Sequence, residues 1–217
     1  GGEASGMYAA GTDGSMSGTG RASNAFQYRL SLDFMDVGIQ TQNRQVSDSN
    51  TTFADTYGAS LIFKTGFGLK IGAAYNKVQD GIMNPDAGHP KYGDEAMIAG
   101  LSYDRGQVVA NFTASKFHNH EKDDLGNFFS GYGLELYCKY SFLERWNVYG
   151  GFNYLQPDDK TEAGDYRIAN ILIGAYYRYG RTGRLFVETR LDDRTRHDGS
   201  RAHYSGVAFG IFFEFGY

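Results

Sequence analysis

The sequence predicts an all-β fold, an antiparallel transmembrane β-barrel, on three observations. Side chains alternate in character with period two along most of the chain, the connectors are short and long by turns, and aromatic residues close many of the apolar faces. The composition agrees. Of 217 residues, 17 are Tyr, 16 are Phe and 30 are Gly, against only 3 Pro. Rings suit pleated surfaces, glycine lets backbones approach, and proline would cost ladder hydrogen bonds.

Several classes are excluded at once. A net charge of −4 lacks the basic footprint that a nucleic-acid partner requires. Cys138 is the only cysteine, so there is neither an intrachain disulfide nor a paired-cysteine metal site. No run of about 18 apolar residues exists, which excludes a transmembrane helix. The chain opens at Gly1-Gly2-Glu3 without a basic, then apolar, then small-residue leader. The expectation is either a removed leader or the back portion of a longer chain.

The last segment shows the alternation best. Val207, Phe209, Ile211, Phe213, Phe215 and Tyr217 fall on one side, with Ala208, Gly210, Phe212, Glu214 and Gly216 between them. Such regularity means a strand with two very different environments. Tyr132, Leu134, Leu136, Cys138, Tyr140 and Phe142 repeat it, as do Phe26–Leu32, Tyr57–Phe63 and Leu69–Tyr75 at every second residue. In these and the remaining strands the apolar sides are read as free of Asp, Glu, Lys and Arg. Further strands are predicted near 37–44, 94–103, 107–117, 146–155, 168–179 and 184–191, about eleven in all.

Alternation alone permits either a membrane barrel or a secreted two-sheet sandwich, whose apolar sides would face each other. The connectors favour the barrel. Short turns fall near 33–36, 65–68, 104–106, 143–145 and 179–183, and long polar stretches at 45–55, 78–93, 118–130, 156–166 and 192–203. Short periplasmic turns alternating with long outer loops are a barrel property. Strands of about 9–11 residues match a tilted bilayer span. Tyr75, Tyr103, Phe142, Tyr154, Tyr179 and Tyr217 end apolar faces, where an amphipathic ring suits the interface. Single-chain bacterial barrels close with even strand numbers, so an odd count predicts at least one strand missing or unread.

Three stretches carry a resemblance to a known family. The first is Gly1-Gly2-Glu3, then Thr19-Gly20-Arg21 and Asn24-Ala25-Phe26-Gln27-Tyr28-Arg29. The second is Gly66-Phe67-Gly68-Leu69, Gly72-Ala73-Ala74-Tyr75 and Ala99-Gly100-Leu101-Ser102-Tyr103-Asp104. The third is Ile173-Gly174-Ala175-Tyr176-Tyr177-Arg178-Tyr179 with the aromatic final strand. Along its whole length the chain resembles the C-terminal two-thirds of the general diffusion porins of Gram-negative outer membranes, the sixteen-stranded trimeric family. Tyr217 departs from the terminal Phe usual there, but keeps a ring.

The resemblance implies that residues 1–19 are the tail of an inward-folded constriction loop and that 20–217 are barrel strands. It implies a passive diffusion pore for small hydrophilic solutes and ions, embedded in outer-membrane lipid and lipopolysaccharide, a homotrimer, with no cofactor. By the same resemblance Glu3 is the acid of the constriction and Arg21 a wall arginine facing it. Arg29 has the parity of Arg21 and points the same way. A constriction lined by fixed charges filters ions and polarises water; the alternative is that Arg21 and Arg29 are ordinary lumen charges. Arg44, Glu135, Lys139, Arg178, Glu188 and Arg190 are predicted to line the pore, where ion pairs contribute little individually.

Tyr137, Tyr149, Tyr176, Phe186 and Phe212 share the inward parity. They are either a stacking track for oligosaccharides or acidic sugars, giving a substrate-selective porin, or lumen filler. His118-Asn119-His120-Glu121 reads as a solvated loop rather than a metal site, and the pairs Asp123-Asp124, Asp158-Asp159 and Asp192-Asp193 as loop solubility. Cys138 falls on the lipid side as a small apolar residue. A barrel enzyme is the rival of another class. All five histidines, His89, His118, His120, His197 and His203, fall in predicted outer loops, and only His197, Asp198 and Ser200 imitate a catalytic set.

Overall fold

The computed structural model describes residues 25–42, 56–78, 95–180 and 182–213. The strands are β1 (Ala25–Ser31), β2 (Met35–Gln42), β3 (Thr56–Lys64), β4 (Leu69–Val78), β5 (Glu95–Arg105), β6 (Val108–Lys122), β7 (Phe128–Phe142), β8 (Trp146–Pro157), β9 (Arg167–Tyr179), β10 (Gly183–Thr195), β11 (Arg201–Ala202) and β12 (Gly206–Phe213). One helical turn, α1 (Lys160–Ala163), separates β8 from β9.

All these strands belong to one antiparallel sheet in which β1 to β11 each pair with the next in sequence. The two-residue β11 and the longer β12 both pair with β10, at opposite ends of its free edge. The sheet therefore has eleven strand positions, as the alternation predicted. A two-sheet sandwich is excluded for the described residues, and among them no pairing joins β1 to β12.

The register gives the sheet two sides. Phe209, Val187, Ala175, Val148, Tyr140 and Val108 are cross-strand partners in one row. One residue along, Ala208, Glu188, Gly174, Tyr149, Lys139 and Val109 form the matching row on the other side. Nothing in the described chain covers the first side: Phe209 is 83% exposed, and Phe26, Leu136 and Ile173 are also exposed. Cys138 shares this side with Leu136 and Tyr140 and is exposed too. No described helix is long and apolar enough to cross a membrane, a statement that does not bear on strands.

The strands run further than their sequence pattern at the end carrying the long connectors. β6 and β7 are 15 residues each, and the supposed loop 118–130 is mostly a continuation of both. The pairing slips between Phe117 and Glu121, and Asn119 takes a left-handed backbone with φ 50°. This bulge re-aims the ribbon. In the extension the sides exchange character. Phe117, Leu155 and Ile168, which have the parity of the polar side, are buried together with Phe129, Ala163 and Tyr166 in a small core. On the apolar side the same level carries Lys77 with Glu95 at 3.6 Å, Arg167 with Asp193 at 3.0 Å, and Lys116. Charges do occupy that side, but only at its rim.

Candidate functional site

The polar side of the sheet holds most of the residues expected to line a pore. Arg29 on β1, Glu135 and Lys139 on β7, Arg178 on β9, and Glu188 and Arg190 on β10 have the same facing in the register. Glu3, Arg21 and Arg44, and the whole segment 1–19, lie outside the described residues.

Among the described residues no ion pair joins these charges to one another. Arg190 donates instead to Asp192 at 2.9 Å, Glu188 accepts from the Tyr149 hydroxyl at 2.7 Å, and Glu135 accepts from Thr113 at 3.4 Å. Asn170, with its amide nitrogen turned toward Asp192, donates to the same carboxylate. The reason is register: Glu135 lies directly across from Asn153 and Thr113, and Glu188 from Gly174, so no basic partner is opposite either acid. Further along the sheet Lys64 donates to Asp36 at 2.6 Å and Gln40 to Asn76 at 3.2 Å. A hollow of about 960 Å³ lies against β1 to β6, with Arg29, Asp36, Gln40, Ser60, Asn76 and Ser115 in its lining.

The five inward aromatics are brought together across β7 to β12. The rings of Tyr137 and Tyr149 are 6.3 Å apart and those of Tyr149 and Tyr176 are 6.1 Å apart. The Arg184 guanidinium stands 5.5 Å from the Tyr176 ring and 5.7 Å from the Phe212 ring, within cation–π range. Arg184 is absent from the sequence-derived site, although its parity with Glu188 and Arg190 was a sufficient signal.

At the long-connector end the loops are clasped to one another. Asp123 is buried and its carboxylate accepts from Leu125 N at 2.9 Å, Asn127 N at 2.8 Å, Asn127 Nδ2 at 3.0 Å and His197 Nδ1 at 2.7 Å. Burial alone would raise the Asp123 carboxyl; the donors from Asn127, His197 and Leu125 outweigh it and hold the group below the usual carboxylate range. His197 N also donates to Asp124 at 2.9 Å, and its carbonyl accepts from Asp165 N at 3.1 Å. The carbonyl comes so close to Gly164 that a Cβ there would overlap it. Glu162 on α1 accepts from Ser130 N at 2.7 Å. Tyr166 is sunk in the cluster, and burial pushes its hydroxyl up to about 12.

This arrangement corrects two readings, of the His118–Glu121 stretch and of two acid pairs. His118 to Glu121 belong to β6, with Asn119 and His120 buried and His118 Nδ1 2.8 Å from Ser130 Oγ. Asp123 and Asp192 are buried hydrogen-bond acceptors, not solvated loop charges. His197, Asp198 and Ser200 do not converge: Asp198 only accepts from Ser200 N in its own turn, while His197 faces Asp123. Among the described residues no group of three or more His, Cys, Asp or Glu is arranged to hold a metal ion.

No protein-family model matches the chain, and no curated protein does. Solved structures match it over most of its length. OmpF of Salmonella typhi, solved in complex with daunomycin, is similar at TM-score 0.69 and 19% identity over 90% of this chain and 62% of its own. The strand architecture is similar to that of a porin barrel. The outer membrane channel DcaP of Acinetobacter baumannii gives TM-score 0.69 at 11% identity, over 88% of this chain and 62% of its own. The anion-selective porin from Comamonas acidovorans gives 0.62 at 14%, over 90% and 60%. The chain thus spans about three fifths of the length of these porins. At such identities the likeness concerns the fold, and the expected strand architecture is the porin one.

Proposed function

We propose that the chain forms the wall of an outer-membrane porin through which small hydrophilic solutes and ions diffuse passively. One observation supports this most. A single sheet leaves its apolar side uncovered and uncharged through the middle of every described strand, while the other side carries Arg29, Glu135, Lys139, Arg178, Glu188 and Arg190. An uncovered apolar face is stable against acyl chains and costly against water, and the polar face is stable only if it is wet. The two demands are met together by a barrel with lipid outside and water inside.

In this reading Glu3, Arg21 and Arg29 form the charged constriction, 1–19 is the end of the inward loop, the long connectors are extracellular, and the assembled protein is a trimer in lipopolysaccharide-bearing membrane. Planar-bilayer recording of the intact protein tests it. Stepwise conductance without hydrolysis of ester or peptide substrates is expected; hydrolysis without conductance would replace the pore with the barrel enzyme. Arg29→Gln should shift the reversal potential in a salt gradient toward cation preference, because a fixed guanidinium is removed from the wall.

A further inference from the structure

On the polar side of β1 to β6 one register row changes chemistry along its length. Arg29, Gly38, Ser60, Ala74, Ile98 and Ser115 are successive cross-strand partners. All six line the hollow of about 960 Å³. Arg29 is exposed, and among the described residues it makes no ion pair. Gly38 leaves a gap beside it. A Cβ there would stand 2.6 Å from Ser60 Oγ, so the Ser60 hydroxyl leans over Gly38 toward β1. Beyond Ser60 the row turns apolar. Ile98 is 44% exposed, and Ile62, two residues from Ser60 on β3, is 37% exposed. Further along the same row Leu155 and Ile168 are buried with Tyr166 in the clasp. Of the two acids lining the hollow, Asp36 is held by Lys64 at 2.6 Å, and Glu121 lies in the extension of β6, beyond the row.

We propose that this row binds a small carboxylate with an apolar body. The carboxylate is received over Gly38 by Arg29 and the Ser60 hydroxyl, and the body lies on Ala74, Ile62 and Ile98. A guanidinium and a hydroxyl both donate to a carboxylate, and such bonds are charge-assisted. Covering the two isoleucines removes apolar surface from water. Apolar residues exposed singly are ordinary on any surface; here the apolar half of the row adjoins a cation and a hydroxyl across a glycine gap, inside a concave wall. The row also sets the length of the solute. Arg29 and Ile98 stand four strands apart, roughly 19 Å at about 4.8 Å per strand. The arginine side chain reaches over part of that span, which leaves room for one ring and a short chain. The inference rests on the pore reading, because a solute reaches the row only if this side is wet, and it names the solute that the wall at Arg29 favours.

The test uses the intact protein in a planar bilayer with 4-phenylbutyrate as probe. Butyrate supplies the carboxylate without the body, and 4-phenylbutanamide the body without the charge. Phenylbutyrate blocks the current at concentrations about tenfold below either control. Arg29→Gln raises its half-block concentration about tenfold. Ile98→Asn raises it about fivefold and leaves the effect of butyrate as it was. Gly38→Ala, whose methyl displaces the Ser60 hydroxyl, raises it about threefold without changing any charge. Folding of each variant is verified by its migration on an unboiled gel. Block by phenylbutyrate equal to that by either control, or a half-block concentration unchanged in Arg29→Gln or in Ile98→Asn, overturns the site and leaves diffusion standing. If no current flows at all, the pore reading fails by itself, and calorimetric titration of phenylbutyrate into the detergent-solubilised protein decides the site: saturable heat lost in Arg29→Gln supports it, and no heat, or heat kept in that variant, overturns it.

Discussion

The middle of the sheet and its long-connector end are built from the same strands with opposite polarity. In the middle, Leu136 and Val148 are bare on one side while Glu135, Tyr149 and Glu188 share hydrogen bonds or ring contacts on the other. A few residues further, β6 buries Phe117 on what was the polar side, and β8 and β9 bury Leu155 and Ile168 there. Phe129 is 0% exposed, its ring 5.7 Å from Phe117 and 5.6 Å from Tyr166 in edge-on contacts. Lys77, Glu95, Lys116, Arg167 and Asp193 meanwhile take the outer side. In β6 to β9 one end obeys the rules of a soluble core and the rest obeys the rules of a membrane wall. The level where they exchange is where the proposed surroundings change from acyl chains to headgroups and water, because burial drives apolar groups out of water and lipid does not.

Four substitutions break or sharpen that contrast. The largest effect is expected for Phe129→Ala, which empties the centre of the clasp and costs about 3–5 kcal/mol of local stability. Hydrogen exchange should show the amides of β6 and β7 near their turn losing protection while those of the wall keep theirs. Equal loss in both would mean that the two regions are one cooperative unit. Next, Leu136→Lys in the middle of the wall costs roughly 2–4 kcal/mol in urea unfolding from lipid vesicles, whereas Met97→Lys, beside Lys116 at the rim, costs less than about 1 kcal/mol. Similar costs at both positions would remove the membrane boundary drawn here.

The smallest effect concerns pH. The Asp123 carboxyl is held below its unfolded value of about 3.9, so its contribution is complete above that value and declines as the pH falls through the lower folded one. Protection of the β6–β7 turn should therefore be constant from neutral pH down to about 4 and then fall, as read by hydrogen exchange. Asp123→Asn should reduce protection at neutral pH and flatten the acid dependence; an unchanged acid limb would show that another carboxylate governs the clasp.

Much of this was legible in the residues. Period two gave the strand positions, and parity alone placed Glu135, Lys139, Arg178, Glu188 and Arg190 on one side, since successive side chains of a strand cannot do otherwise. The same rule would have added Arg184. Loop polarity misled: His120, Asp123 and Asp192 read as solvated because single residues do not reveal that a loop is covered by another. The Asp123–His197 contact joins groups 74 positions apart, and neither local pattern nor spacing encodes it.

Alternation by itself determined that this chain makes strands with one apolar and one polar side, because a two-residue repeat is a property of each strand alone. Only the tertiary structure decided that all the strands join one sheet, that β6 and β7 continue past the wall, and that three connectors clasp around Phe129. Those outcomes depend on which distant surfaces meet, and burial energy is a property of the pair that meets and not of either sequence segment.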